Sequence, residues 1–163
     1  MIDESISAHY RGLMNHDDAE TFRSRSQETT TAILRTADHL RRCFAAVLEP
    51  RGITLQQYNV LRILRAARNR GVPTLDLGHR LIEQTPGITR LLDRLEQKGL
   101  ARRERSADDR RVVLCWITPA GRDLLTAVEA DVDRIDAAAL HGFDPDELDS
   151  LLEMLEAVRL SAP

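Results

Sequence analysis

The sequence predicts a mainly α protein: a winged helix-turn-helix lobe, made of helices plus a small antiparallel β-hairpin wing, with N- and C-terminal helices that form a dimerisation region. Three observations favour this class. Apolar residues recur at helical spacing through most of the chain. Two helical segments with a short turn between them, residues 74–81 and 85–98, are followed directly by two strand-like segments. The loop between those strands, residues 105–111, is wholly charged or small.

The N-terminal part of the chain is predicted to hold one long helix. Residues 1–26 show no periodicity and are interpreted as a loose arm. From residue 27 to residue 48, apolar residues recur at intervals of three and four, which places them on one helix face. These residues are Ile33, Ala37, Leu40, Phe44 and Val47. Pro50 and Gly52 then end the helix.

A second helix is predicted to follow Thr54, because Thr54 and Gln57 match a capping box in which each side chain satisfies a backbone donor of the other residue. This helix ends near residue 71. Its inward side chains are Leu55, Tyr58, Leu61 and Leu64. Thr74 is a suitable N-cap for a short third helix that reaches about residue 81. Gly78 within it is expected to allow the close approach of the next helix.

The fourth helix has the strongest local signals. Thr85 as the N-cap and Pro86 in the first helical position begin it, and a left-handed Gly99 ends it after Lys98. Its buried face consists of Ile88, Leu91, Leu92 and Leu95. Its other face consists of Gly87, Thr89, Arg90, Asp93 and Arg94. One face therefore packs in the core, and the other is short, polar and basic.

Two strands and two helices complete the chain. Residues 101–104 and 112–118 are predicted strands, and Thr118 followed by Pro119 begins another helix. Asp144 to Glu147 cap a last helix. These two helices carry more apolar surface than a small lobe can cover, so we expect a homodimer core.

The predicted domain organisation follows from these segments. Residues 1–26 form the arm, residues 27–50 and 119–160 form the dimerisation region, and residues 53–118 form the winged lobe.

The charge distribution favours double-stranded DNA as a partner. Residues 51–111 contain 14 Lys and Arg against 7 Asp and Glu, a balance of +7, whereas the rest of the chain has a balance of −10. Phosphate binding requires such a local field rather than a basic protein. No nucleophile with a base, cofactor fingerprint or metal-ligand spacing occurs in the sequence, so neither an enzyme nor a cofactor is expected. The absence of a signal or a long apolar run favours a cytoplasmic protein without a membrane span.

Specific DNA contacts are expected from the fourth helix and from the wing. Arg90 suits a guanine edge, because its guanidinium matches the O6 and N7 acceptors. The short residues Thr85, Gly87 and Thr89 allow close approach, and Arg94 is interpreted as a phosphate contact or an internal salt bridge. In the wing, Asp109 and Arg111 lie two positions apart and can pair, which would orient Arg111 for a minor groove. Four further arginines are interpreted as phosphate neutralisers: Arg102, Arg103, Arg105 and Arg110.

Three elements of the sequence resemble the MarR family of bacterial regulators. They are the run T-R-L-L-D-R-L-E-Q-K-G-L at residues 89–100, the D-R-R of residues 109–111 and the I-T-P-A-G of residues 117–121. The resemblance implies a homodimer whose recognition helices enter major grooves, with the D-x-R residues reaching minor grooves. It also implies a transcriptional repressor that a small aromatic acid or lipophile releases from DNA.

Two alternatives and one further site remain open at this stage. Cys43, beside two arginines, would be the reactive thiol of a redox-sensing regulator, although a buried cysteine is usually inert. Cys115, in a strand, is interpreted as structural. A dimeric interaction module without DNA binding is the second alternative. The candidate effector-binding residues are His39, Arg42, Tyr58 and Arg62.

Overall fold

The computed structural model describes residues 22–68, 70–81 and 87–161, and these residues form helices α1–α6 and strands β1–β3. The helices are α1 (Arg25–Leu48), α2 (Leu55–Ala66), α3 (Thr74–Arg80), α4 (Ile88–Gln97), α5 (Pro119–Ala139) and α6 (Pro145–Ser161). The strands are β1 (Val72–Pro73), β2 (Ala101–Arg105) and β3 (Val113–Ile117). The predicted class, mainly α with a small antiparallel sheet, is confirmed.

The chain divides into two compact units, one ending at Leu40 and the other beginning at Arg41, and α1 runs through that boundary. The predicted apolar face of α1 is visible in its exposure pattern. All five of its residues are half-buried: Ile33, Ala37, Leu40, Phe44 and Val47. A short 3₁₀ turn, Glu49–Arg51, follows α1, and Gly52 ends it with a φ of +75°.

Helix α2 begins with the predicted capping box. The Gln57 backbone N–H donates to the Thr54 hydroxyl oxygen at 3.3 Å, and the Thr54 backbone N–H donates to Gln57 Oε1 at 3.2 Å. The inward residues are buried, apart from the half-buried Leu55. The helix ends at Ala66, earlier than predicted, and Arg68 then takes a positive φ of 54°.

Two predictions about helix α3 are wrong. Thr74 is not an N-cap: it is the first helical residue, and its hydroxyl donates instead to the Val113 carbonyl oxygen of β3 at 3.1 Å. The hydroxyl therefore donates to a carbonyl of the sheet instead of accepting from a backbone N–H of its own helix, as an N-cap would. Gly78 does not mark a close contact either, since a Cβ built on it would meet no described atom within 4 Å.

The wing belongs to a three-stranded sheet in the order β1-β3-β2, with both pairs antiparallel. The two-residue strand β1 was not predicted, and it pairs Val72 with Cys115. A real close approach occurs just before it, where a Cβ on Gly71 would stand 2.5 Å from the Trp116 ring. The sheet thus attaches the wing to the segment between α2 and α3.

The core of the second unit is aliphatic and lies between the helices and one face of the sheet. Its fully buried side chains include Leu48, Ile53, Leu61, Leu64, Leu77, Leu92, Leu95 and Leu125. Close packing of these helices positions α4 so that only one of its faces is covered.

The last two helices begin as predicted. The Thr118 hydroxyl oxygen accepts from the Gly121 backbone N–H at 3.1 Å, and Asp144 and Glu147 cap α6 reciprocally, with both bonds at 2.9 Å. No described residue of α6 is buried. Its exposed apolar residues are Leu152, Met154, Leu155, Val158 and Leu160. None of the described helices combines the length and apolar character that crossing a membrane requires.

Candidate nucleic-acid interface

Helix α4 presents the polar face that the sequence predicted. Its buried side chains are Leu91, Leu92 and Leu95. Thr89, Arg90 and Arg94 are exposed. Within the described part of the chain, neither Arg90 nor Arg94 forms an ion pair, so the structure shows no internal salt bridge for Arg94 there. Both guanidinium groups are accessible to an external anion.

The start of this helix is described only from Gly87. Gly87 has a φ of +145°, a conformation that glycine adopts at little cost, and a Cβ there would meet nothing within 4 Å. The positive φ accounts for a glycine at this position, and its expected close approach to DNA stays a prediction. Helix α4 begins at Ile88 with Gly87 as its N-cap residue, so the predicted start, with Thr85 as N-cap and Pro86 in the first helical position, is wrong; Thr85 and Pro86 themselves lie outside the described residues.

The end of α4 is fixed by its backbone and by one lysine. Gly99 has a φ of +68°, and the N–H groups of Gly99 and Leu100 donate to the carbonyl oxygens of Glu96 and Leu95, which is a Schellman motif. Lys98 Nζ donates to the Gly52 carbonyl oxygen at 2.5 Å and to Gln57 Oε1 at 3.1 Å. Lys98 therefore ties the end of α4 to the start of α2, a contact that the sequence analysis missed.

Arg103 of β2 holds the wing to α4. Its Nε donates to Glu96 Oε2 at 2.8 Å, its terminal nitrogen donates to Asp93 Oδ1 at 2.5 Å, and its backbone N–H donates to Glu96 Oε1 at 2.7 Å. These bonds, led by the one to Glu96, raise the pKa of Arg103. Two carboxylates already bind Arg103, so its guanidinium has partners within the protein; its interpretation as a phosphate neutraliser stays a prediction. Asp93, predicted on the outer face of this helix, is half-buried and pairs with Arg103.

The wing loop contains the predicted acid–base pair. The Arg111 Nε donates to Asp109 Oδ1 at 3.2 Å, and the Arg111 backbone N–H donates to the same oxygen at 2.9 Å. The backbone bond, followed by the side-chain bond, lowers the pKa of Asp109. The Arg111 side chain is 92% exposed although its guanidinium is paired. The loop thus presents an oriented cation to solvent.

The remaining wing arginines differ in their surroundings. Arg102 lies over the Trp116 ring, 4.5 Å from its centroid, and pairs with Glu104. Arg105 donates to the Arg110 carbonyl oxygen at 3.4 Å. Arg105 and Arg110 are exposed at the loop end of the hairpin. Their proposed role toward phosphates stays a prediction.

The candidate effector residues are only partly brought together. Tyr58 is buried, and burial raises the pKa of its hydroxyl. The Arg62 guanidinium lies 5.7 Å from the centroid of the Tyr58 ring, and Arg62 also lines a cavity beside α2. His39 and Arg42 are exposed on α1 and are not among the residues that line this cavity.

The two cysteines differ in accessibility. Cys43 is half-buried in α1. Cys115 is buried in β3, and burial raises the pKa of its thiol. Among the described residues, no cluster of histidine, cysteine and carboxylate side chains could hold a metal ion.

Comparison with known proteins decides the family. Residues 53–113 match the sequence profile of the MarR family. A MarR transcription factor from Planctomyces limnophilus is 35% identical, with a TM-score of 0.64, and the match covers 83% of this chain and 98% of that one. The chain belongs to the MarR family. It is therefore a transcription regulator that binds DNA, and not an enzyme.

Two further proteins of similar structure bind DNA or respond to a small molecule. A mutant MarR from E. coli, complexed with operator DNA, is 26% identical with a TM-score of 0.70, and the match covers 79% of this chain and 91% of that one. Bordetella bronchiseptica BpsR, whose DNA binding is regulated by 6-hydroxynicotinic acid, is 22% identical with a TM-score of 0.69. That match covers 81% of this chain and 98% of BpsR.

Proposed function

We propose that this MarR-family regulator is a cytoplasmic repressor that binds a pseudo-palindromic operator as a homodimer and is released by a small aromatic or lipophilic effector. DNA binding is supported by two exposed arginines on α4, Arg90 and Arg94. It is also supported by Arg111 of the wing, whose guanidinium binds Asp109. Arg90 would read a guanine in the major groove, and Arg111 would enter the adjacent minor groove. Thr85, Gly87, Thr89 and Arg110 would make closer or backbone contacts.

The apolar surface of α6 supports the homodimer. Five large apolar side chains are exposed on a helix that has no buried residue among those described. Monomeric proteins seldom expose large apolar patches, and a second copy of the chain would cover these side chains with its own α6. Two lobes related by a twofold axis would then contact two half-sites about 10 bp apart.

The proposed release by an effector is supported by family membership and by the position of Arg62 beside the Tyr58 ring on α2. The regulation of BpsR by 6-hydroxynicotinic acid suggests an aromatic acid as the ligand class. Tyr58 and Arg62, with His39 and Arg42 of α1, are the residues that we propose would contact it. A guanidinium near an aromatic ring suits a ligand that combines a carboxylate with an apolar body.

The test of DNA binding is a titration of a labelled duplex from the upstream intergenic region, chosen for its inverted repeat, at several salt concentrations. Each phosphate contact contributes about −0.9 to the slope of log affinity against log salt, so three contacts per protomer predict a slope of roughly −5. Sedimentation should show two protomers on each duplex. A slope near zero would contradict DNA binding of this kind.

The dimer has a separate test with a matched control. The variant Leu155→Asp places a charge on the apolar surface of α6 and should shift the free protein to a monomer in sedimentation. The variant Glu153→Asp changes an exposed charged residue of the same helix and should remain a dimer. Dimers of both variants would show that α6 is not the interface.

A further inference from the structure

The chain contains a single lysine. Among its 23 Lys and Arg residues only Lys98 is a lysine, and all the others are arginine. Lys98 directly follows the last residue of α4, the helix that carries Arg90 and Arg94, and it precedes the turn at Gly99. The contacts of Lys98 give a physical reason for an ammonium group at this one position.

The Lys98 ammonium binds two acceptors from another part of the lobe. Its Nζ donates to the Gly52 carbonyl oxygen at 2.5 Å and to Gln57 Oε1 at 3.1 Å. The Gln57 side chain is buried, and its Oε1 also accepts from the Thr54 backbone N–H, so the start of α2 holds it in place. An ammonium directs three donors from one small atom, whereas a guanidinium is a wide planar fork that suits the two oxygens of one carboxylate. Two acceptors of different residues that converge on one nitrogen therefore favour lysine over arginine.

The two residues after Lys98 bind the start of α5. The Gly99 carbonyl oxygen accepts from the Thr118 hydroxyl at 2.7 Å, and the Leu100 carbonyl oxygen accepts from the Thr118 backbone N–H at 3.1 Å. A Cβ built on Gly121 would collide with the Leu100 carbonyl oxygen, so the first turn of α5 packs directly on this backbone. Residues 98–100 therefore form a junction, which binds both the loop after α1 and the start of α5.

The lysine side of this junction borders a cavity. The cavity has a volume of about 620 Å³, and Lys98, Gly52, Leu100 and Asp123 are among the residues that line it. Close packing usually fixes the angle between two elements, because a filled interior allows few arrangements. Beside a cavity this constraint is weaker, and the directional bonds of Lys98 Nζ restrict the angle instead.

We propose that Lys98 is a positioning residue for DNA recognition. Through Gly52 and Gln57 it fixes the direction of α4 relative to the end of α1 and the start of α5, and thereby the spacing of half-sites that the protein accepts. This inference rests on the proposed homodimer, since spacing has a meaning only for two lobes on one duplex. Adding one base pair rotates a half-site by roughly 35° about the duplex axis, because one turn contains about 10 bp. A dimer with fixed lobes cannot follow this rotation, whereas one with loosened lobes follows it in part.

The test measures affinity for three duplexes with the same two half-sites, one at the cognate spacing, one with a base pair removed and one with a base pair added. The spacing preference is the affinity for the cognate duplex divided by that for either altered duplex. Lys98→Met removes the ammonium and keeps an unbranched side chain, and it should reduce this preference by about three- to tenfold, the equivalent of one or two lost hydrogen bonds. Lys98→Arg keeps the charge but not the compact donor, so it should not restore the preference. The matched control is Gln97→Met at the neighbouring exposed position, which should keep it.

A direct phosphate contact would give a different pattern. Lys98→Met would then lose affinity equally on all three duplexes, its salt slope would fall by about 0.9 per protomer, and Lys98→Arg would bind like the wild type. A loss of folded protein would also lower the affinity for all three duplexes equally. An unchanged spacing preference in Lys98→Met would therefore overturn the proposal.

The contact itself is measured without DNA. Because Lys98 is the only lysine, labelling with ¹⁵N-lysine gives a single ammonium signal in NMR spectra. An ammonium held by two acceptors exchanges its protons with water more slowly than free lysine does, so the folded protein should show this signal under mildly acidic conditions that broaden the signal of free lysine. Folded protein without the signal would overturn the proposal. A wild type that shows the signal but has no spacing preference would instead contradict the proposed homodimer on two half-sites, and the positioning role would fail with it.

Discussion

Replacing Arg103 with methionine tests whether this arginine connects the wing to the recognition helix or contacts DNA. The substitution keeps an unbranched apolar stem and removes the guanidinium that binds Asp93 and Glu96. Both carboxylates would then lack their cation, and the structural bonds between β2 and α4 would be reduced to the backbone bond from residue 103 to Glu96.

The expected loss of stability lies between the loss on breaking an exposed ion pair and the loss on breaking a buried one. The Arg103 side chain is 22% exposed, and those of Asp93 and Glu96 are 44% and 31% exposed. Exposed pairs contribute about 0–1 kcal/mol, and breaking a buried pair costs about 3–5 kcal/mol. We therefore expect Arg103→Met to lower the free energy of unfolding by roughly 2 kcal/mol, a value that lies between these limits.

The assay is urea unfolding followed by circular dichroism, with Arg102→Met as the matched control. Arg102 is the neighbouring residue of the same strand, is 48% exposed, pairs with Glu104 across solvent-exposed surface and lies over the Trp116 ring. Its replacement should cost less than about 1 kcal/mol. Combining Arg103→Met with Glu96→Gln should cost little more than Arg103→Met alone, because the two residues act through one interaction.

Two results would refute this reasoning. Equal losses of stability in Arg103→Met and Arg102→Met would mean that the bonds to Asp93 and Glu96 contribute no more than a surface pair. Unchanged stability with weaker DNA binding and a salt slope reduced by about 0.9 per protomer would support Arg103 as a phosphate contact.

Three further predictions concern DNA contacts and pH. Arg90→Ala should cost about 1–3 kcal/mol of binding to the cognate duplex and relax base preference at one position per half-site; an equal loss on a scrambled duplex would make Arg90 a phosphate contact. Asp109→Ala should weaken DNA binding by about two- to fivefold despite removing a negative charge, because Arg111 loses its orientation. In anisotropy titrations the double variant should resemble Arg111→Ala, and tighter binding by Asp109→Ala than by the control Asp108→Ala would exclude an orienting role. The free energy of unfolding should fall as the pH rises above the ordinary thiol pKa of 9.0, since buried Cys115 has a raised pKa and ionises first in the unfolded chain. The slope of unfolding free energy against pH between 8 and 9.5 should be smaller in Cys115→Ala, and an unchanged slope would contradict this assignment.

Local chemistry allowed the sequence to predict most of the elements and one pair in the candidate site. The capping boxes at Thr54 and Asp144 join residues three positions apart, so their formation does not depend on how the rest of the chain packs. The left-handed conformation of Gly99 was predictable for the same reason, because it depends on the steric limits of the local backbone. Asp109 and Arg111 are also close in sequence, which is why their pairing was predictable.

The tertiary structure decided the interactions between residues that are distant in sequence. Thr74 is of a residue type that favours the N-cap position, but its hydroxyl donates a hydrogen bond to a carbonyl oxygen 39 positions away. Arg103 looks like a wing cation, and only the packing of β2 against α4 shows that Asp93 and Glu96 bind it. The bonds from Lys98 to Gly52 and Gln57 likewise depend on how the end of α4 meets the start of α2. A side chain of given chemistry has several possible partners along a chain, and the one it binds is fixed by which elements pack together.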